Sequence, residues 1–117
     1  MDVAGLRTVC LDLPGATESV QWRGTRVFKV GGKMFACSGI EADGRYSMKA
    51  GQSRFLELTD QPGIAPAPYL ARAHWVQIDP TVCRLPPTEI KGLVLQSYDL
   101  VFSRLPKKKQ REIRGAP

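Results

Sequence analysis

Arg26-Val-Phe-Lys-Val30, Gly31-Gly32 and Lys33-Met-Phe-Ala-Cys37 place two β-prone runs on either side of a Gly-Gly pair, and that arrangement predicts a β-hairpin. A two-residue turn at the glycines pairs Val30 with Lys33, Phe28 with Phe35 and Arg26 with Cys37. Paired residues share a face, so Phe28 and Phe35 are expected to anchor the core. Lys29 and Met34 then point the other way beside Val27 and Ala36. That second face is mixed in character, and a partly open sheet face of this kind can carry a ligand. The plainer reading of Lys29 is a side chain that snorkels off the sheet.

Upstream, Asp2 can cap a helix whose apolar residues Val3, Leu6, Val9, Cys10 and Leu13 follow helical spacing. Leu13-Pro14-Gly15 ends it, and a short connection leads through Thr17 to Trp22. Downstream, Glu41-Ala-Asp-Gly44 reads as a second turn and Arg45-Tyr-Ser-Met-Lys49 as a strand with Tyr46 and Met48 on one face. Gly51 to Thr59 reads as a short helix carrying Phe55, Leu56 and Leu58, stopped by Pro62-Gly63. Pro62-Gly-Ile-Ala-Pro-Ala-Pro68 contains three prolines, which bars a helix interior or a central strand and implies a fixed, extended loop.

The segment from Tyr69 to Ile78 is expected to end in a strand, with His74, Val76 and Ile78 on one face and Trp75 and Gln77 on the other. Pro86-Pro-Thr88 introduces the last helix, with Thr88 as its cap and Ile90, Leu93, Val94, Tyr98, Val101 and Leu105 as its apolar stripe. Pro106 stops that helix. The fold class that follows is α+β: a two-layer sandwich of an antiparallel β-sheet with the N- and C-terminal helices packed on one face.

At 117 residues the chain matches one domain. Its division is read as a domain over residues 1–106 and a basic arm over 107–117. No apolar run approaches the roughly 20 residues of a membrane span, and the N-terminus lacks a basic-then-apolar leader. A cytoplasmic protein without membrane contact is therefore expected. Cys10, Cys37 and Cys83 are odd in number, widely spaced and set in apolar surroundings, which points to buried thiols and away from a disulfide framework. The net charge of +6 is unevenly distributed: Met1 to Ser103 holds 11 basic and 10 acidic residues, whereas Arg104 to Pro117 holds six basic residues against Glu112 alone. A terminal run of this kind can neutralise phosphates, or can be a frayed, solvated end that aids solubility.

The residues do not complete a catalytic constellation. His74 is the sole histidine, there is no Cys-x-x-Cys pair, and neither a phosphate loop nor a Gly-x-Ser-x-Gly elbow is present. No catalytic residue, metal site or cofactor is expected. A thiolate pair of Cys37 or Cys83 with His74 would require a proximity that sequence does not give. Tyr69, Arg72, His74 and Trp75 form the densest local set of hydrogen-bonding and stacking groups, placed after the rigid proline loop. Strand alternation nevertheless puts His74 on the face of Val76 and Ile78, which favours a hydrogen-bonded core histidine over a ligand contact, and Trp75 is likewise read as packing ahead of recognition.

Five fragments carry a resemblance: Leu13-Pro-Gly-Ala-Thr-Glu18, Val27-Phe-Lys-Val-Gly-Gly-Lys-Met-Phe-Ala36, Pro62-Gly-Ile with Ala67-Pro-Tyr-Leu-Ala71, His74-Trp-Val76, and Ser97-Tyr98 followed by Leu105-Pro-Lys-Lys108. In this order, over almost the whole chain, they resemble the MmcQ/YjbR family. That resemblance implies a frataxin-like (CyaY-like) α+β fold and bacterial proteins often labelled DNA-binding, on the strength of a likeness to a "double wing" DNA-binding domain. It brings no catalytic residues. The metal-binding relatives of that fold use acidic first helices, and this chain offers only Asp2 and Asp12 there, so iron binding does not carry over.

Two functions are expected from these readings. In the first, a monomer binds DNA through Lys107, Lys108, Lys109, Arg111 and Arg114 of the arm and Lys29, Lys49 and Arg72 of the sheet face, by largely electrostatic contacts. In the second, the chain is a small-ligand or protein-partner module with a pocket at Tyr69, Arg72, His74 and Trp75.

Overall fold

In the computed structural model, which describes residues 1–21, 24–39, 44–68 and 70–115, Val30 pairs with Lys33 across the Gly31-Gly32 turn. Both glycines have positive φ, +58° and +81°, the geometry that lets a two-residue turn follow the twist of its strands. The turn joins β2 (Thr25–Val30) to β3 (Lys33–Gly39). Two residues further on the expected register fails. Lys29 faces Met34, but Phe28 faces Ala36 and Arg26 faces Ser38; Phe35 is the extra residue of a β-bulge.

The bulge has a packing reason. Phe28, Phe35 and Ala36 are all fully buried in the core, which simple alternation along β3 would forbid. Ala36, expected on the outer face, thus turns inward, and Cys37 takes the outward position opposite Val27.

The remaining elements are α1 (Val3–Leu11), β1 (Ala16–Gln21), β4 (Tyr46–Lys49), α2 (Gln52–Thr59), β5 (Ile64–Pro66), β6 (Trp75–Ile78), α3 (Pro87–Phe102) and α4 (Lys107–Arg114). The sheet is antiparallel, in the order β1-β2-β3-β4-β6-β5. Leu6 and Cys10 of α1 and Ile90, Leu93, Val94, Tyr98, Val101 and Phe102 of α3 bury themselves against one face of the sheet, as the helical stripes require. This is the two-layer α+β sandwich. Asp2 caps α1 by accepting the Gly5 N–H at 2.9 Å.

Several boundaries differ from the sequence reading. Thr17 to Gln21 lies within strand β1, not in a connection. β1 is an edge strand whose inward Glu18 is polar, and it is held by Arg7 of α1 and Arg26 of β2 at 2.7 and 2.9 Å. Those guanidinium groups, Arg7 foremost, hold the Glu18 carboxyl below its ordinary range. The proline segment is extended as expected, but residues 64–66 pair with β6 as a second edge strand, where Pro66 lacks only a donor the edge does not need. Thr88 lies in the first turn of α3, whose cap is Pro86 with Pro87 at the first helical position. α3 ends at Phe102, and Pro106 opens α4 instead of closing α3. The turn expected at residues 41–44 lies outside the described residues, apart from Gly44.

One side chain stitches the layers together. The Ser97 hydroxyl of α3, fully buried, donates to the Phe35 carbonyl at 2.6 Å and accepts the Lys49 N–H at 2.9 Å. The bulge ends the β3–β4 ladder at Ala36–Met48, and this hydroxyl satisfies the two backbone groups just beyond. Lys49 and Met34 are thereby set at the end of the sheet where α3 runs out.

Candidate functional site

The C-terminal basic segment is a helix clamped to the body. Leu105 is buried over the hairpin turn, so that a Cβ at Gly31 would come within 2.6 Å of its Cδ1. Gln110 Nε2 donates to the carbonyls of Leu105 at 2.8 Å and Ser103 at 3.3 Å, in the link that follows the last residue of α3. Ile113 packs against the core, and Arg114 lies 4.5 Å above the Phe102 ring, a cation–π contact. Lys109 Nζ donates to the Gly31 carbonyl at 3.2 Å. Lys107, Lys108 and Arg111 remain exposed.

Between this clamp and the end of the sheet lies a groove of about 430 Å³. Its floor is apolar: Met34 of β3, Trp75 at the start of β6, Val101 of α3, then Leu105 and Pro106. Its cations are Lys33, Lys49, Arg104 and Lys109, and no Asp or Glu lines it. Among the described residues no ion pair engages any of the four. Bringing like charges into one concavity costs free energy that a bound anion would recover, so the charge of the groove is complementary to an anion.

The groove unites Lys49 and Lys109, assigned to phosphate contact, with Trp75, assigned to a pocket. Lys29, paired with Met34, stands beside it on the outer face. Arg72 is exposed on a single 3-10 turn, residues 71–73. Tyr69 lies outside the described residues. His74 is not on the face of Val76 and Ile78: β6 begins one residue later, and His74 ends the 3-10 turn in the left-handed region at φ 60°. Its ring stands edge-on to Phe55 of α2, 5.5 Å between centroids. Lys33 and Arg104 are absent from the expected site, and Met34 is expected only on the sheet face open to a ligand. Lys33 reads as a turn neighbour and Arg104 as part of a charge run, and nothing local in the sequence joins Arg104 to the adjacent pair Lys33-Met34.

None of the three thiols lines the groove. Burial pushes Cys10 up to about 12, with the Glu18 charge adding to it, and Cys37 up to about 11. Both are protonated at neutral pH, and a thiol is a poor nucleophile. Cys83 lies against Gly63, while His74 packs on Phe55. Among the described residues there is no cluster of three or more metal-ligating side chains and no helix long and apolar enough to cross a membrane.

A family model named YjbR matches residues 11–100. The chain belongs to the YjbR family. Among solved structures, Deinococcus radiodurans protein DR2400, with family domain DUF419, is 33% identical to this YjbR chain with a TM-score of 0.82. The match spans 99% of this chain and 89% of that one. A Pseudomonas syringae protein shares the fold of the YjbR chain at a TM-score of 0.70 and 20% identity, over 86% of this chain and 99% of that one. No curated protein matches.

Proposed function

We propose that this YjbR-family chain is a non-catalytic DNA-binding protein that acts as a monomer in the cytoplasm and holds the phosphate backbone without reading bases. The observation that carries the reading is the gathering of Lys33, Lys49, Arg104 and Lys109 in one groove free of carboxylates, directly beside the exposed Lys107, Lys108 and Arg111 of α4. Because α4 is already folded and clamped by Gln110, Ile113 and Arg114, its cations meet phosphates without a large ordering cost. Each phosphate neutralised releases counterions, so affinity must fall steeply with salt.

The test compares the intact chain with Lys107→Gln/Lys108→Gln/Arg111→Gln in fluorescence anisotropy of a labelled duplex over a salt series. The triple variant is expected to flatten the slope of log K against log salt by about 2 to 3, near 0.9 per lost contact. Equal slopes for the two proteins would remove α4 from the interface.

A further inference from the structure

We propose that the groove is also a binding site for a small organic anion with an apolar body and one carboxylate head. Phosphate contact explains the cations at the rim but not the floor. A backbone phosphate needs charge and donors, whereas Met34, Val101 and Leu105 offer only apolar surface and Trp75 chiefly the face of its ring. The volume of about 430 Å³ falls in the range of small-ligand pockets, roughly 300–1,000 Å³. Half of the design is thus fitted to a hydrocarbon or aromatic body, and half to a negative head.

The geometry separates the two. Trp75, Val101 and Leu105 are buried and form the base, while Lys33, Arg104 and Lys109 are exposed at the mouth. A ligand that lays its body on the base places its head among the mouth cations, where Arg104 offers a fork of donors and the lysines point charges. A neutral ligand leaves the repulsion among those cations unrelieved, and an inorganic anion leaves the apolar base in water. Both parts are therefore needed in one molecule. This inference stands independently of DNA binding.

The experiment is calorimetric titration of the full chain with sodium octanoate, with octanamide as the neutral counterpart and inorganic phosphate as the anion without a body. Octanoate is expected to saturate a single site, and octanamide and phosphate to bind at least about tenfold more weakly. Lys33→Gln/Arg104→Gln, both at exposed positions, should weaken octanoate by about tenfold or more, whereas Lys107→Gln/Lys108→Gln should change it by less than about twofold, since exposed charges outside the groove are screened. Thermal melts verify that both variants fold. Absence of saturable octanoate binding, equal binding of octanamide, or equal losses in the two variants would each overturn the proposal. The second variant also separates the two functions, because it is expected to weaken DNA binding and leave octanoate binding intact.

Discussion

Gly63→Ala is expected to destabilise the protein by about 3–5 kcal/mol, the sum of a backbone forced into a left-handed region and an overlap that cannot relax. Gly63 has φ +83° and joins α2 to β5. A Cβ there would meet backbone, not side chain: the Cys83 nitrogen, the Cys83 Cα at 2.7 Å and the Val82 carbonyl carbon at 2.9 Å. The turn it would strike is itself fixed. The Asp79 carboxylate accepts from Thr81 N–H at 3.0 Å and Thr81 Oγ at 2.6 Å, and Asp79 N–H donates to the Gly63 carbonyl at 2.8 Å. Since small domains hold only about 5–15 kcal/mol in total, much of the variant should be unfolded or melt far below the parent. Gly32→Ala is the matched control. Its φ is +81°, yet a Cβ there meets nothing within 4 Å, so only the conformational cost of about 1 kcal/mol applies. Equal urea midpoints for the two variants would show that the contact with residues 82–83 is not there.

Ser97→Ala is expected to cost about 2–6 kcal/mol, because it strands two buried backbone groups at once, each worth about 1–3 kcal/mol when left unpaired. The Phe35 carbonyl loses its donor and the Lys49 N–H its acceptor, and the site is fully buried. For a chain of this size the melting temperature should fall by roughly 10 °C or more. The variant probes more than stability. Phe35 neighbours Met34 in sequence, and Met34 and Lys49 both line the groove, so the same change should loosen the wall of the site. A loss below about 0.5 kcal/mol, the ordinary range of a surface substitution, would mean that the hydroxyl does not join α3 to the sheet.

What the sequence revealed, and what it withheld, follows from which forces are local. The Gly31-Gly32 turn, the Asp2 cap and the stripes of α1 and α3 are written in neighbouring residues, so the α+β sandwich was legible. The edge strands were not. β1 carries Thr17, Glu18 and Ser19, and the inward position after Ala16 is filled by a salt-bridged carboxylate instead of an apolar residue. β5 hides behind prolines that an edge tolerates. The bulge at Phe35 arises because α3 offers Tyr98 as a partner, ring centroids 5.4 Å apart and nearly perpendicular, which no reading of β3 alone can show. The site was half legible for the same reason. Lys49, Trp75 and Lys109 stand out as cations or an aromatic, but their meeting with Lys33, Met34 and Arg104 is decided by where α3 ends relative to the hairpin. The basic segment could be read as a frayed end or as an arm; Gln110, Ile113 and Arg114 settle its form as a docked helix.

A cationic groove and α4 that together hold a phosphate backbone must give DNA binding governed by salt. The most direct test is the anisotropy of a labelled generic duplex titrated with the intact chain between about 50 and 200 mM salt, the window in which counterion release dominates. The expected result is a Kd of about 1–100 µM at the upper salt and a slope of log K against log salt of about −4.5 to −6.3, from roughly five to seven phosphate contacts. No binding at 50 mM salt, or binding that salt leaves unchanged, would contradict it.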